Sequence, residues 1–148
     1  MKTTTKCKIL TAVLGFMAII FGGGLYVFYR SKSLPLFDWV RAIGIYDWVL
    51  SVRPAENVDS WLVYSLPDGL WLLSYMLFMS ALCRFHVRES MLYSAPLIVV
   101  AFVSEILQIS DRIDGTFDIV DLLCYMAAVA LGFVYVKVIN KSLNKKIT

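Results

Sequence analysis

The sequence predicts an all-α polytopic membrane protein: four transmembrane helices and a short extracytoplasmic interfacial helix, forming a single membrane domain over residues 1–148. Three observations lead there. Hydrophobic residues make up 59% of the chain, well above the roughly 45–50% of soluble domains. Four stretches are apolar for long enough to cross a bilayer, which takes about 20 residues, or as few as about 17. The 14 basic and 11 acidic residues are sorted along the chain rather than mixed.

The spans are expected at about 9–29, 66–83, 91–109 and 119–136, with residues 30–65 outside the membrane. With the N-terminus inside, nine lysines and arginines gather on the cytoplasmic side (2, 6, 8, 84, 88, 137, 141, 145 and 146) and five outside (30, 32, 41, 53 and 112). That imbalance predicts a multi-pass protein of the cell inner (cytoplasmic) membrane with both termini cytoplasmic. All the acids except Glu89 then fall outside or at the outer rim.

The first span has a basic start and an apolar core. Its apolar run continues past Gly22-Gly23-Gly24 through Leu25 to Tyr29 with no small-x-small cleavage site, so it reads as an uncleaved anchor rather than a secretory signal. The glycine triplet suits close helix packing or a bend. From Ser31 to Ser65 the chain is aromatic and too short for a separate domain, and Leu36–Leu50 reads as one helix stopped by Pro54. Its tryptophans and tyrosine favour the head-group region. The triplet Asp-Trp-Val recurs at 38 and 47; about two and a half turns separate the copies, so on one helix they face opposite ways and the echo is taken as chance.

The second span opens with Ser65-Leu66-Pro67-Asp68. Serine suits an N-cap, proline the first helical position, and Asp68 the positive end of the dipole. Capping is enough to account for Asp68; alternatively its carboxylate faces the outer polar cluster. The turn Arg84–Glu89 holds the only histidine, His86, which between two arginines reads as solvated surface. Cys7, Cys83 and Cys124 have no metal-ligand spacing and no disulfide framework is expected. The chain carries no phosphate-binding glycine loop, nucleophile elbow or His-Glu-x-x-His. No nucleic-acid patch is present in the sequence either.

The densest polar chemistry lies between the last two spans. Glu105 and Gln108 are three residues apart and share a helix face near the outer end of the third span; Asp118 and Asp121 share one at the start of the fourth. Between them, Asp114-Gly115-Thr116 is a turn signal that folds the two helices into a hairpin. Carboxylates crowded at a low-dielectric rim repel one another unless Arg112, a cation or a ligand neutralises them.

Glu105-x-x-Gln108, then Arg112, then Asp118-x-x-Asp121 and a small-residue helix ending in Gly132 resembles the signature region of the VanZ-like membrane proteins. That family is named for a protein associated with resistance to teicoplanin-type glycopeptides. The resemblance covers the last third of the chain. It implies a small multi-helix protein of the bacterial envelope without an established enzymatic activity, and makes Glu105, Gln108, Arg112, Asp118 and Asp121 the functional positions. The chain departs from the family pattern at Tyr125 and Ala128, which stand where that pattern has asparagine and glycine.

Three functions fit these residues. In the first, the acidic rim, with Asp68, binds a cationic or amphiphilic envelope molecule: a lipid head group, a cell-wall precursor or a lipopeptide. In the second, the polar residues lock the hairpin and engage partner membrane proteins, as structural ion pairs do. In the third, the carboxylates hold a divalent cation or act as acid and base on a lipid-linked substrate. The first is the expected one: no nucleophile stands in a recognisable context, and no cofactor or metal site is assigned.

Overall fold

The computed structural model describes residues 2–32, 34–54, 58–110 and 116–145, which form seven α-helices and no strand. In chain order they are α1 (Lys2–Tyr29), α2 (Pro35–Ala42), α3 (Tyr46–Val52), α4 (Ser60–Tyr64), α5 (Leu66–Leu82), α6 (Val87–Ile109) and α7 (Ile119–Asn144). Four helical stretches have the length and composition to cross a membrane: Thr4–Tyr29, Ser60–Leu82, Val87–Ile109 and Ile119–Asn144. The protein is a multi-pass, all-α membrane protein. In hydrocarbon every backbone N–H and C=O needs a partner within its own segment, which helices supply.

Helix α5 is the centre of the bundle, packed against α1, α6 and α7. Small residues permit the close approaches. A Cβ added to Gly69 would lie 3.0 Å from Cys124 Cβ and 3.1 Å from the Cys124 carbonyl oxygen of α7, and one added to Gly132 would lie 2.8 Å from Met76 Cε of α5. Toward α1, a Cβ on Gly15 would meet the Phe78 ring at 3.1 Å, and the Ser74 hydroxyl donates to the Gly15 carbonyl at 2.9 Å. Contacts of this kind replace the hydrophobic drive that lipid does not provide between helices. Of the glycine triplet, Gly22 packs against Trp71, whereas Gly23 and Gly24 face open space, and α1 runs through all three as helix.

The two ends of the bundle differ. At one end the turn joining α5 to α6 puts Arg84 and Phe85 in left-handed conformations, with φ of 53° and 64°. Phe85, fully buried, fills a cluster with Ala81 and Val136, and its carbonyl accepts a bond from Asn140 Nδ2 at 2.9 Å. That buried ring offsets the strain of the backbone. At the other end lie α2, α3 and all four tryptophans of the chain (39, 48, 61 and 71).

One local expectation is corrected there. The single helix expected over Leu36–Leu50 is two helices, because Gly44 takes φ +77° and ends α2, its N–H bonding to the Arg41 carbonyl. The break lets Phe37 and Val40 of α2 and Val49 of α3 bury together beside Val27 of α1. The two Asp-Trp-Val triplets then occupy equivalent places, with both valines buried and both tryptophans exposed. Ser65 stands at the N-cap position of α5, with Pro67 and Asp68 in the first turn as expected, although its side chain makes no capping bond. Its N–H bonds to the Trp61 carbonyl and its carbonyl accepts the Gly69 N–H, so α4 runs on into α5 and the span reaches from Ser60 to Leu82.

Gly69→Val forces a branched side chain into the Cys124 backbone, which cannot yield, and is expected to cost about 1–3 kcal/mol. Gly23→Ala enters open space in mid-helix and is expected to be neutral or stabilising by up to about 1 kcal/mol. Thermal unfolding of the two variants in one detergent checks both.

Candidate functional site: an acidic cavity at the aromatic end of the bundle

The inward faces of α6 and α7 are legible as repeats of three and four residues. On α6 Ser90, Ser94 and Glu105 are buried, and Ala101 packs against the core between them. On α7 Tyr125, Ala128, Gly132 and Val136 are buried. Stepping back along α7 from Tyr125 by four residues and then three reaches Asp121 and Asp118. Positions so spaced share a stripe, so the stripes of both helices end in carboxylates at the same end of the bundle.

There they meet. A cavity of about 530 Å³ is lined by Asp68, Glu105, Gln108, Asp118 and Asp121, together with Arg30, Ser60, Tyr64 and Thr116. Every expected site residue except one is gathered around this space. The exception, Arg112, lies outside the described residues, as do Asp111 and the Asp114-Gly115 part of the expected turn.

Each wall has its own bonding. Asp118 caps α7: its Oδ1 accepts the Val120 N–H at 2.8 Å. Glu105 is only 4% exposed, yet its Oε2 is buried without a hydrogen-bond partner, and so is Asp121 Oδ1. Among the described residues the ion pairs are Arg41–Asp38 at 2.7 Å and His86–Glu89 at 3.5 Å, both on the exposed surface and both away from the cavity. Among the described residues the four carboxylates of the cavity thus make no salt bridge. An uncompensated buried carboxylate is among the most costly arrangements a protein interior can hold. No three histidine, cysteine, aspartate or glutamate side chains among the described residues come together as a group that could hold a metal ion.

Arg30 is the residue that the sequence reading missed. It stands just past the end of α1, with Tyr26 and Tyr64 rings 4.7 and 4.5 Å from its guanidinium carbon. Its Nε and Nη2 donate to the Val63 and Tyr64 carbonyls at 3.4 and 3.3 Å, which ties α1 to α4. Arg53 Nη2 in turn donates to the Arg30 carbonyl at 2.8 Å. A guanidinium has five N–H donors, so these two bonds leave Arg30 able to serve the cavity. The available signal was a basic residue at the end of an apolar span, but nothing local linked it to acids far along the chain.

No protein-family description matches the chain, and neither the characterised proteins nor the solved structures compared with it are similar to it.

Two substitutions separate the roles of the acids. Asp118→Ala removes the cap acceptor and is expected to cost about 1 kcal/mol, whereas Asp118→Asn retains an acceptor and most of that stability. Glu105→Gln replaces a buried carboxylate that makes no salt bridge among the described residues by a neutral group of the same shape. In the absence of ligand it should raise the melting temperature by about 2–4 °C, the opposite of what a structural ion pair predicts. Calorimetric melts at neutral pH read both.

Proposed function

We propose that the protein is a VanZ-like membrane protein of the bacterial cytoplasmic membrane. Its acidic cavity binds the cationic group of an amphiphilic envelope molecule: a lipid head group, a cell-wall precursor or a lipopeptide. The observation that carries this reading is the buried, unpartnered Glu105 oxygen on the wall of a cavity with three further carboxylates. A site that holds unpaired charge in the absence of ligand is poised for a ligand of opposite charge, which relieves repulsion and supplies the missing hydrogen bonds at once.

The orientation rests on the charges and the aromatic residues. The lysine-rich end of the bundle is taken as cytoplasmic under the positive-inside rule, and the cavity then opens outward, level with a belt of tryptophan and tyrosine. A structural or assembly role is the second reading, favoured by the capping bond of Asp118, which gives one of the acids a purely local task. A metal-dependent reaction has weaker support, because the acids are not disposed as a metal-binding group.

Thermal unfolding of the detergent-purified protein tests these readings, with wild type and Asp118→Asn melted alone and with a cationic lipopeptide, magnesium or calcium. Binding to the folded state at a hundred times Kd stabilises it by about 2.7 kcal/mol. The lipopeptide is expected to stabilise the wild type by about that amount and the variant by far less. No shift with any of these, joined to a lower melting temperature for Asp118→Asn, would favour the structural reading instead.

A further inference from the structure

The acidic cavity does not end at the carboxylates. Asp68 also borders a second, apolar space of about 270 Å³ between α5 and α6, lined by Trp71 and Leu72 of α5, Leu97, Val100 and Ala101 of α6, and Tyr125 of α7. Its floor is the buried pair Leu72 and Tyr125, and its walls are outward-facing Trp71, Leu97 and Val100, the last 61% exposed. Leu97 is eight residues before Glu105 on one continuous helix, so the groove descends roughly 12 Å from the level of the carboxylates toward the middle of the span. One turn further in it closes, where the Tyr75 hydroxyl donates to the Tyr93 carbonyl at 3.2 Å. Pro96, which interrupts the backbone bonding of α6 beside this stretch, faces outward.

A polar chamber at head-group level, joined through one shared side chain to an apolar groove that faces the acyl region, has the form of a lipid. The chamber holds both signs of charge. Acids lie on α5, α6 and α7, and a guanidinium comes from the end of α1, with no ion pair between them among the described residues. The complementary head group therefore carries a cation and an anion a few bonds apart.

Building on the reading of the cavity as a binding site, we propose that cavity and groove together form one site for a phospholipid whose head group bears a primary amine. The ammonium sits among Glu105, Asp118 and Asp121, the phosphate faces Arg30, and one acyl chain lies along Trp71, Leu97 and Val100. An ammonium offers three donors to the acceptor-only carboxylates, including the unpartnered Glu105 oxygen. A chain in the groove covers apolar surface that the bundle leaves uncovered.

Calorimetric titration of the detergent-purified full chain tests this with three probes. They are short-chain phosphatidylethanolamine, the chainless glycerophosphoethanolamine, and short-chain phosphatidylglycerol, which lacks the amine. The wild type is expected to bind phosphatidylethanolamine at least about tenfold tighter than either of the others, because glycerophosphoethanolamine lacks the chains that fill the groove and phosphatidylglycerol lacks the ammonium that meets the carboxylates. Val100→Trp, which fills the groove from an exposed position, should abolish the advantage of the chained probe and leave glycerophosphoethanolamine binding unchanged. Asp118→Asn should weaken both amine probes. Equal wild-type affinity for phosphatidylethanolamine and glycerophosphoethanolamine, or full retention of the chain's advantage in Val100→Trp, would overturn the groove and leave the cavity standing. Phosphatidylglycerol bound as tightly as phosphatidylethanolamine would overturn the amine assignment. A cationic lipopeptide that stabilises the protein while phosphatidylethanolamine does not bind would overturn the lipid and preserve the general reading. Failure of every probe and of the lipopeptide would remove both.

Discussion

Hydrocarbon does not solvate charge, and the rest of this structure follows from that. A carboxylate on the lipid face of a spanning helix has no partner, so the acids at the aromatic end of α5, α6 and α7 turn toward the space between the helices. Because α6 and α7 each bury one stripe of residues, the acids at the ends of those stripes, Glu105 and Asp121, are delivered to the same place. Asp68 joins them from α5 and Asp118 from the start of α7. The convergence is a consequence of periodicity and solvent. Among the described residues the acids make no salt bridge there, although Arg30 lines the same cavity.

The packing explains why the space between them stays open. Gly69 brings α5 against the Cys124 backbone of α7, and Gly132 brings α7 against Met76 of α5, so the central pair is held tightly along its length. Below the cavity, Leu72, Tyr125 and Ala128 make a close apolar cluster with Phe102 and Val129 against it. Above it the lining side chains are acids, and the space between them is the open cavity. Tyr125 and Ala128 belong to this cluster under the chamber. There they supply volume and a ring against Phe102 at a centroid distance of 5.9 Å.

The segment outside the spans bears on the site through Arg30. That residue is held by two tyrosine rings and two carbonyls, and its own carbonyl is held by Arg53, which follows α3. The α2–α3 hairpin buries Phe37, Val40 and Val49 against the end of α1 and turns Trp39 and Trp48 outward. It thus fixes the end of α1 from the side of the head-group region while leaving amphipathic rings where interfacial residues are favoured. Cation–π contacts gain strength as water is excluded, which favours a guanidinium at this depth over a lysine ammonium.

The sequence by itself determined the spans, because a long apolar run is a local property. It also determined which acids would share a helix face, because spacings of three and four residues fix a stripe whatever the helix packs against. Glu105 with Gln108 and Asp118 with Asp121 were accordingly legible as two polar faces joined by a turn, whereas the tertiary structure decided that Asp68 lines the same cavity, that Arg30 enters it from the end of α1, and that Ser60 and Tyr64 complete the wall. Contacts between distant segments depend on which faces interlock, and here the decisive small contacts at Gly15, Gly22 and Gly69 carry no directional signal in the sequence. The same reason governs the break at Gly44: a glycine takes its left-handed conformation where packing on both sides rewards the turn.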